Sequence, residues 1–425
     1  MKSLSKNRFW LLSVLAGLFF VGLIVSASAA ERDPIRQDVL TFSGTQPVSE
    51  SSLAADSYII PLRCNTADQQ TYSIIIRNVD PIERALLLDA QDGKWDRFDL
   101  FRAALIVEGE RNPEKIRRYD ERLNNLVADV KARLKTGNNL TPQALTRELF
   151  ETMHRELLTK DYNLDCTEIG KVMSTGHFNC VSATVLFNCL AEKAGLDVYA
   201  LEMPGHALSR VKFEGVSVDL ETTCPNWFSL QNNAERLNAT TRRIAQAPAT
   251  VNPVTGNAMT TVNIAPPPIE NLEDLSKKLR EVTPVQLVAT IYYNIGVDKH
   301  ARQQFAEMAA ANAKAIYLDR KNQTAWGNML AAINNWALEL VADKGKERFD
   351  IAAVLLDQGL MLDPTYENFK VNQRHVFYYW IYGLALRQRF DDAEKVFTFA
   401  DPRLPNDASI AELMQSIRKH SQKQK

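Results

Sequence analysis

The stretch Gly176-His177-Phe178-Asn179-Cys180-Val181-Ser182 decides how the rest of the chain is read. Asn179 belongs to the residue types that cap helix N-termini. Val181, Thr184, Val185, Leu190 and Ala191 supply a buried side after it, and Gly195 provides a stop. The pattern predicts a helix over 180–194 with a cysteine as its first residue. A thiol there meets unpaired backbone N–H groups and the positive end of the helix dipole. Both favour thiolate over thiol, and the same N–H groups can hold a developing oxyanion. Cys180 is therefore the candidate nucleophile.

A thiolate needs a proton partner, and the sequence after the helix offers one. The period changes to short runs rich in Val, Tyr, Leu and Phe, which predict strands over 197–203, 207–213 and 216–222 with Glu214-Gly215 as a tight hairpin turn. Pro204-Gly205-His206 stands at the head of the second strand, so His206 is the candidate base. A third group should orient the imidazole, and Asp219 and Glu221 are the candidates. A two-residue turn sets Asp219 opposite Arg210, on the His206 face but four residues out of step, about 13 Å at normal strand rise. A bulge or shifted register would have to close that gap. Glu221 is nearer on the simple register, and both stay open at this point.

Other readings of these residues exist. Cys180 would be structural if it were simply buried, or inactive if bonded to Cys166 or Cys189. His177 lies on the entering loop, where a solvated histidine is the ordinary outcome. Ser182 has no nucleophile elbow around it. Cys166, His177, Cys180, Cys189 and Cys224 match no zinc-site spacing, so the site is expected to hold neither metal nor cofactor. Trp227 and Phe228 suit core or cleft wall. Asn139-Leu140-Thr141 and Asn238-Ala239-Thr240 match glycosylation acceptors, a pattern common by chance.

Upstream, Phe98, Phe101, Ala104 and Leu105 fall at helical spacing, and Pro113 sits where a second helix would begin. Tyr119, Leu123, Leu126, Val127, Val130 and Leu134 then repeat at threes and fours, the stripe of an amphipathic helix. Thr141-Pro142 opens a further helix to about residue 158. Residues 31–90 read as an extended lead, with a short strand over 72–76. Downstream, 231–270 is a linker rich in Asn, Thr, Ala and Pro. From Leu272 the chain reads as wholly helical. Trp326 follows Tyr292 by 34 positions, the tetratricopeptide period. Asp363 follows Asp319 by 44, so the second unit would carry about ten extra residues. A third helix pair fits 380–400. A plain bundle with chance similarity is the alternative.

The 425 residues suffice for two or three compact units. A formal net charge of -1 gives no reason to expect a nucleic-acid or anionic-membrane partner. Lys2, Lys6 and Arg8, an apolar run over 9–25 and Ala27-Ser28-Ala29 read as a signal peptide over 1–30. The rival is an uncleaved anchor through 9–25. The expected location is exported, periplasmic or extracellular, with no membrane contact beyond that segment. The five cysteines are an odd number, so any disulfide pattern leaves at least one thiol over.

Asn179-Cys180 opening a helix, Gly205-His206-Ala207 entering a strand, and Val218-Asp219 before Thr222 together resemble the transglutaminase-like, papain-like cysteine superfamily. The closer likeness is to a branch in which that core precedes tetratricopeptide-type repeats. It rests on the helical lead from Asp99-Leu100 to Val127 and on Thr283-Pro284-Val285-Gln286-Leu287-Val288, and spans roughly residues 90–400. The likeness is weaker at Asp219, because the family often has an aromatic where Val216 stands. The resemblance implies an α+β fold: a helix with a small antiparallel sheet, then an all-α repeat region. It implies domains over 91–230 and 271–425, and a triad of Cys180 as nucleophile, His206 as base and later acid, and Asp219 as orienter. The implied chemistry is cysteine-dependent acyl transfer by a peptidase, amidase or transamidase, with a protein or peptide substrate and a partner held by the repeats. The alternative is a non-catalytic extracytoplasmic scaffold whose repeats do the binding.

Overall fold

The computed structural model describes residues 57–63, 71–77, 79–203, 205–230, 279–342 and 345–423. The proposed signal segment, the 231–270 linker, Cys64 and Asn238 lie outside these. The first element is a hairpin, β1 (Ser57–Arg63) with β2 (Thr71–Arg77), paired antiparallel. It contains the strand expected over 72–76. Helix Pro81–Asp89 follows, capped by Asp80 and begun by proline. The sequence predicts only an extended lead over this stretch, and the helix corrects that.

Three expected helices come next, each opened by its own capping side chain. Asp99 caps Leu100–Val107, Asn112 caps Pro113–Thr136 and Thr141 caps Pro142–Glu156. Each cap accepts N–H groups that would otherwise lack partners in the first turn. The stripe residues Tyr119, Leu123, Val127 and Val130 are buried, as the periodicity requires.

Helix Cys180–Ala194 runs through the centre. Every residue from Cys180 to Ala191 is buried, because five helices and the sheet cover it from different sides. The sheet has the order β5-β4-β3-β6, with β3 (Asp197–Met203), β4 (His206–Phe213) and β5 (Val216–Leu220) joined by hairpins and β6 (Arg280–Val282) at the far edge. Glu214 and Gly215 both take positive φ, 50° and 78°, which matches the strand twist at a two-residue turn. Arg210 pairs with Asp219 across that hairpin, the register expected from the turn.

The fourth strand, β6 (Arg280–Val282), pairs antiparallel with β3. It corrects the expectation that everything after Leu272 is helical. Among the described residues seven helices follow: Pro284–Ala301, Phe305–Leu318, Gln323–Ala342, Phe349–Leu362, Glu367–Leu386, Phe390–Ala400 and Ala408–Lys423. The first six each pack on the next in sequence, while Ala408–Lys423 packs on both Phe390–Ala400 and Glu367–Leu386. Their approach is close where side chains are small: a Cβ on Gly359 would lie 2.5 Å from the buried Phe369 ring.

The helical region is tied to the core by buried charge. Tyr292 Oη donates to Glu83 Oε1 at 2.6 Å, and Lys314 Nζ reaches the same oxygen at 2.8 Å. Arg280 bridges Glu202 of β3 and Asp319, while Thr290 also bonds Glu202. The first helix of the region contacts both Leu100–Val107 and the cysteine helix.

Candidate active site

The cap of the cysteine helix is fully committed. Asn179 Oδ1 accepts the N–H groups of Val181 and Ser182, both at 3.0 Å. Its Nδ2 donates to Leu164 O at 2.9 Å and Thr167 Oγ1 at 2.8 Å. Ser182 Oγ accepts Asn179 N–H at 3.0 Å and donates to Cys166 O at 2.6 Å. Ser182 is thereby spent on a reciprocal capping box.

These bonds run residues 160–166 alongside the approach to the helix. Lys160 N–H donates to Gly176 O and Asn163 N–H to Phe178 O, and Tyr162 and Phe178 form an isolated parallel bridge. Gly176 takes φ +81°, and a Cβ there would run into Thr159 Oγ1, so the close approach requires glycine.

The sheet is held in register with the helix by buried polar pairs. Ser209 Oγ donates to Asn188 Oδ1 at 2.6 Å, and the hydroxyls of Thr184 and Thr222 bond at 2.9 Å. All four residues are buried. Each would lose about 1–3 kcal/mol if its partner were removed, so sliding the sheet along the helix is disfavoured.

That register brings His206 to Cys180. Imidazole and thiol act on each other's ionisation there, and His206 Nε2 donates to Glu221 Oε2 at 2.7 Å. Glu221 Oε1 accepts both the N–H and the hydroxyl of Thr223. Asp219, which the family likeness had favoured as orienter, is elsewhere. It takes Arg210 bidentately, Nε to Oδ1 at 2.6 Å and Nη2 to Oδ2 at 2.8 Å. The reason is the regular hairpin. No bulge closes the four-residue offset, whereas Glu221 lies only two residues out of step and carries the longer side chain.

Electrostatics follow this geometry. Burial alone would raise the Cys180 thiol. The hydrogen bond and charge of His206, the Ala207 N–H and the Tyr162 hydroxyl outweigh it and hold the thiol below its ordinary range. Burial would likewise lower His206, but the Glu221 carboxylate and the Cys180 sulfur hold it well above. Burial would raise Glu221, which His206 and Thr223 instead hold below the usual carboxylate range. All three shifts point to carboxylate, imidazolium and thiolate in one buried row.

Two further residues that sequence reasoning did not single out complete the surroundings. Burial and the Cys180 sulfur raise the Tyr162 hydroxyl, and Tyr162 in turn helps to lower the Cys180 thiol. Its ring stands edge-on to Phe178 at 6.1 Å. His154 packs against Phe150 with its Nε2 buried and without a hydrogen-bond partner, and burial holds its pKa down at about 4. Tyr162 sits in a loop without motif, and His154 falls on a core stripe where histidine signals little.

The remaining candidates are accounted for. His177 Nδ1 meets Asp161 O at 3.1 Å, away from the row. Trp227 Nε1 donates to Asp219 O at 2.8 Å, and Phe228 packs edge-on to Phe150 at 5.4 Å, so both serve as wall. Cys166, Cys180, Cys189 and Cys224 are free thiols. Among the described residues, no group of His, Cys, Asp and Glu gathers that could hold a metal ion, and no helix is long and apolar enough to cross a membrane.

No curated protein matches the chain. A family model does: residues 117–261 match the transglutaminase-like superfamily, a stretch that begins within helix Pro113–Thr136, takes in Cys180, His206 and Glu221, and leaves out the helices after β6.

Proposed function

We propose that this domain is a cysteine-dependent acyl-transfer enzyme with Cys180 as nucleophile, His206 as acid and base, and Glu221 as orienter. The observation that carries the reading is the buried row of thiol, imidazole and carboxylate at the start of a capped helix, with the imidazole hydrogen-bonded to the carboxylate and the thiol and imidazole shifting each other's ionisation. The Cys180 thiolate attacks a carbonyl carbon, and the π electrons move to oxygen. Collapse expels an amine, which takes its proton from the His206 imidazolium, and leaves a thioester. His206 then accepts a proton from water or an acceptor amine, which attacks the thioester and frees the sulfur. Glu221 keeps Nε2 protonated and Nδ1 toward the sulfur throughout. A peptide-like substrate suits this chemistry. In this reading the protein works outside the cytoplasm, and the helical region, as tetratricopeptide-type repeats, recruits the substrate or a partner.

The test is alkylation by iodoacetamide, followed by mass spectrometry of the modified residue. An ordinary thiol is only about 1% thiolate two units below its pKa of about 8.5. Cys180 should therefore label roughly tenfold or more faster than free cysteine at pH 6.5, even after the lower nucleophilicity of a low-pKa sulfur. His206→Ala should remove that advantage. Labelling of Cys180 no faster than free cysteine would overturn the proposal and leave the non-catalytic scaffold.

A further inference from the structure

The carbonyl that Cys180 attacks belongs to a larger molecule, and something beside the sulfur must receive what that carbonyl carries. The segment over 160–167 is bonded into that place. Lys160 N–H donates to Gly176 O at 3.0 Å and Asn163 N–H to Phe178 O at 2.8 Å. Tyr162 and Phe178 form a parallel bridge. Asn179, itself buried, then donates its Nδ2 to Leu164 O at 2.9 Å and Thr167 Oγ1 at 2.8 Å. The chain from Tyr162 to Leu164 is thus tied to the two residues that immediately precede the nucleophile.

What this segment presents to solvent is at odds with its neighbours. Tyr162 is 46% and Leu164 47% exposed. The exposed residues between and beside them, Asp161, Asn163 and Asp165, are polar. Folding alone gives little reason for two large apolar side chains here. The Tyr162 ring gains one edge contact, with Phe178 at 6.1 Å. Leu164 is held through its backbone carbonyl, which any residue supplies. The mutual effect of the Tyr162 hydroxyl and the Cys180 thiol on ionisation agrees with a place beside the sulfur.

Resting on the acyl-transfer reading above, we infer that Tyr162 and Leu164 determine specificity: they form an apolar wall that receives a large apolar side chain of a peptide-like acyl donor, next to the carbonyl joined to Cys180. Seating that side chain takes it out of water together with the exposed parts of both residues, so burial on the two sides adds to binding. A donor without a side chain leaves the wall wet. Held by backbone bonds to Phe178 and Asn179, the wall keeps a fixed height relative to the sulfur.

The probes are the p-nitrophenyl esters of N-acetyl-L-phenylalanine and N-acetylglycine. The sulfur attacks either ester, forms the thioester and releases p-nitrophenolate. Each kcat/KM is divided by that ester's rate with free cysteine, which removes its intrinsic reactivity. Both esters use the same sulfur and leaving group, so any change in the thiolate cancels in their ratio. The wild type should favour the phenylalanine ester about tenfold or more, the scale on which an apolar pocket discriminates. Tyr162→Ala and Leu164→Ala should each lower that ratio, and the double variant should bring it within about twofold of one. Leu164→Ala is the safest of these for folding, because the bond that holds this residue is made by its backbone. Leu88→Ala, similarly exposed on helix Pro81–Asp89, should keep the wild-type ratio. A wild-type ratio near one overturns the inference, and so does a preference that survives in Leu164→Ala and in the double variant. Rapid alkylation of wild-type Cys180 with acylation by neither ester sinks the acyl-transfer reading and this inference with it, a distinct result.

Discussion

Replacing Glu221 by Gln tests which carboxylate serves His206. The substitution keeps shape and removes the charge that faces His206 Nε2 at 2.7 Å. Three donors now meet this carboxylate: the imidazole, the Thr223 N–H and the Thr223 hydroxyl. A glutamine has one acceptor oxygen to offer, so it must abandon either His206 or Thr223 and turn its own NH2 toward the other. Loss of one charge-assisted hydrogen bond in this buried setting is about 1.5–3 kcal/mol. That is about 1–2 pKa units. The sign follows from the ion pair. Glu221 stabilises the imidazolium, and the imidazolium stabilises the thiolate. Without Glu221 the thiolate forms at higher pH, so the acid limb of iodoacetamide alkylation should move up by about 1–2 units. At a pH on that limb the rate should fall roughly 10- to 100-fold. Asp219→Asn is the comparison. Its carboxylate is more than a third exposed and paired with Arg210, so its removal should cost no more than about 1 kcal/mol of stability and leave the alkylation profile in place. A profile that shifts in Asp219→Asn and stays put in Glu221→Gln would refute the assignment.

His154, held at about 4 by burial against an ordinary value near 6.5, makes the fold acid-sensitive. Its folded pKa is depressed, so the unfolded chain takes up a proton that the native state refuses; stability is full above pH 6.5 and falls by up to about 3 kcal/mol as pH drops to 4. Urea midpoints at pH 7 and 4.5 should therefore lie closer together in His154→Phe than in the wild type, and an unchanged gap would contradict this. Gly359→Ala would drive a methyl into the ring of the buried Phe369 and should cost about 1–3 kcal/mol, read as a lowered thermal midpoint; a neutral result would mean that the two helices can separate freely there.

Much of this was legible in the sequence, and for identifiable reasons. The cysteine helix begins and ends at the expected residues because its signals are local: an asparagine cap at one end and a left-handed Gly195 at the other. The hairpin of β4 and β5 was legible because Glu214-Gly215 admits a two-residue turn, which then fixes Arg210 opposite Asp219. Reading the same register literally would have chosen Glu221. The family likeness pulled the assignment to Asp219, and the regular ladder left no bulge to satisfy it. What was not legible is long-range. β6 has only Arg280, Glu281 and Val282 and becomes a strand because the edge of β3 is there to pair with. Helix Pro81–Asp89 is short, and its Glu83 finds its meaning only in Tyr292 and Lys314, more than 200 residues away. Tyr162 reaches Cys180 through a loop whose path is set by backbone bonds to Gly176 and Phe178, and no side-chain pattern announces such bonds.

The site asks two opposed things of the fold. It must be buried, since a carboxylate, imidazolium and thiolate interact strongly only away from water. Yet burial by itself acts against every ionised form in the row, raising Cys180 and Glu221 and lowering His206. The conflict is resolved only if the three groups stay within hydrogen-bonding distance, because each supplies the charge or donor that the next requires. A displacement of an ångström would leave buried charges unpaired at several kcal/mol each. This gives a physical reason for the polar pairs in the middle of an otherwise apolar interface. Ser209 with Asn188 and Thr184 with Thr222 join the cysteine helix to β4 and to the turn just past β5, and their bonds are to one another and not to the row. An all-apolar interface would bury as much area while tolerating a slip along the helix; these directional bonds do not, so the register on which the ionised row depends is carried by residues that take no part in its chemistry.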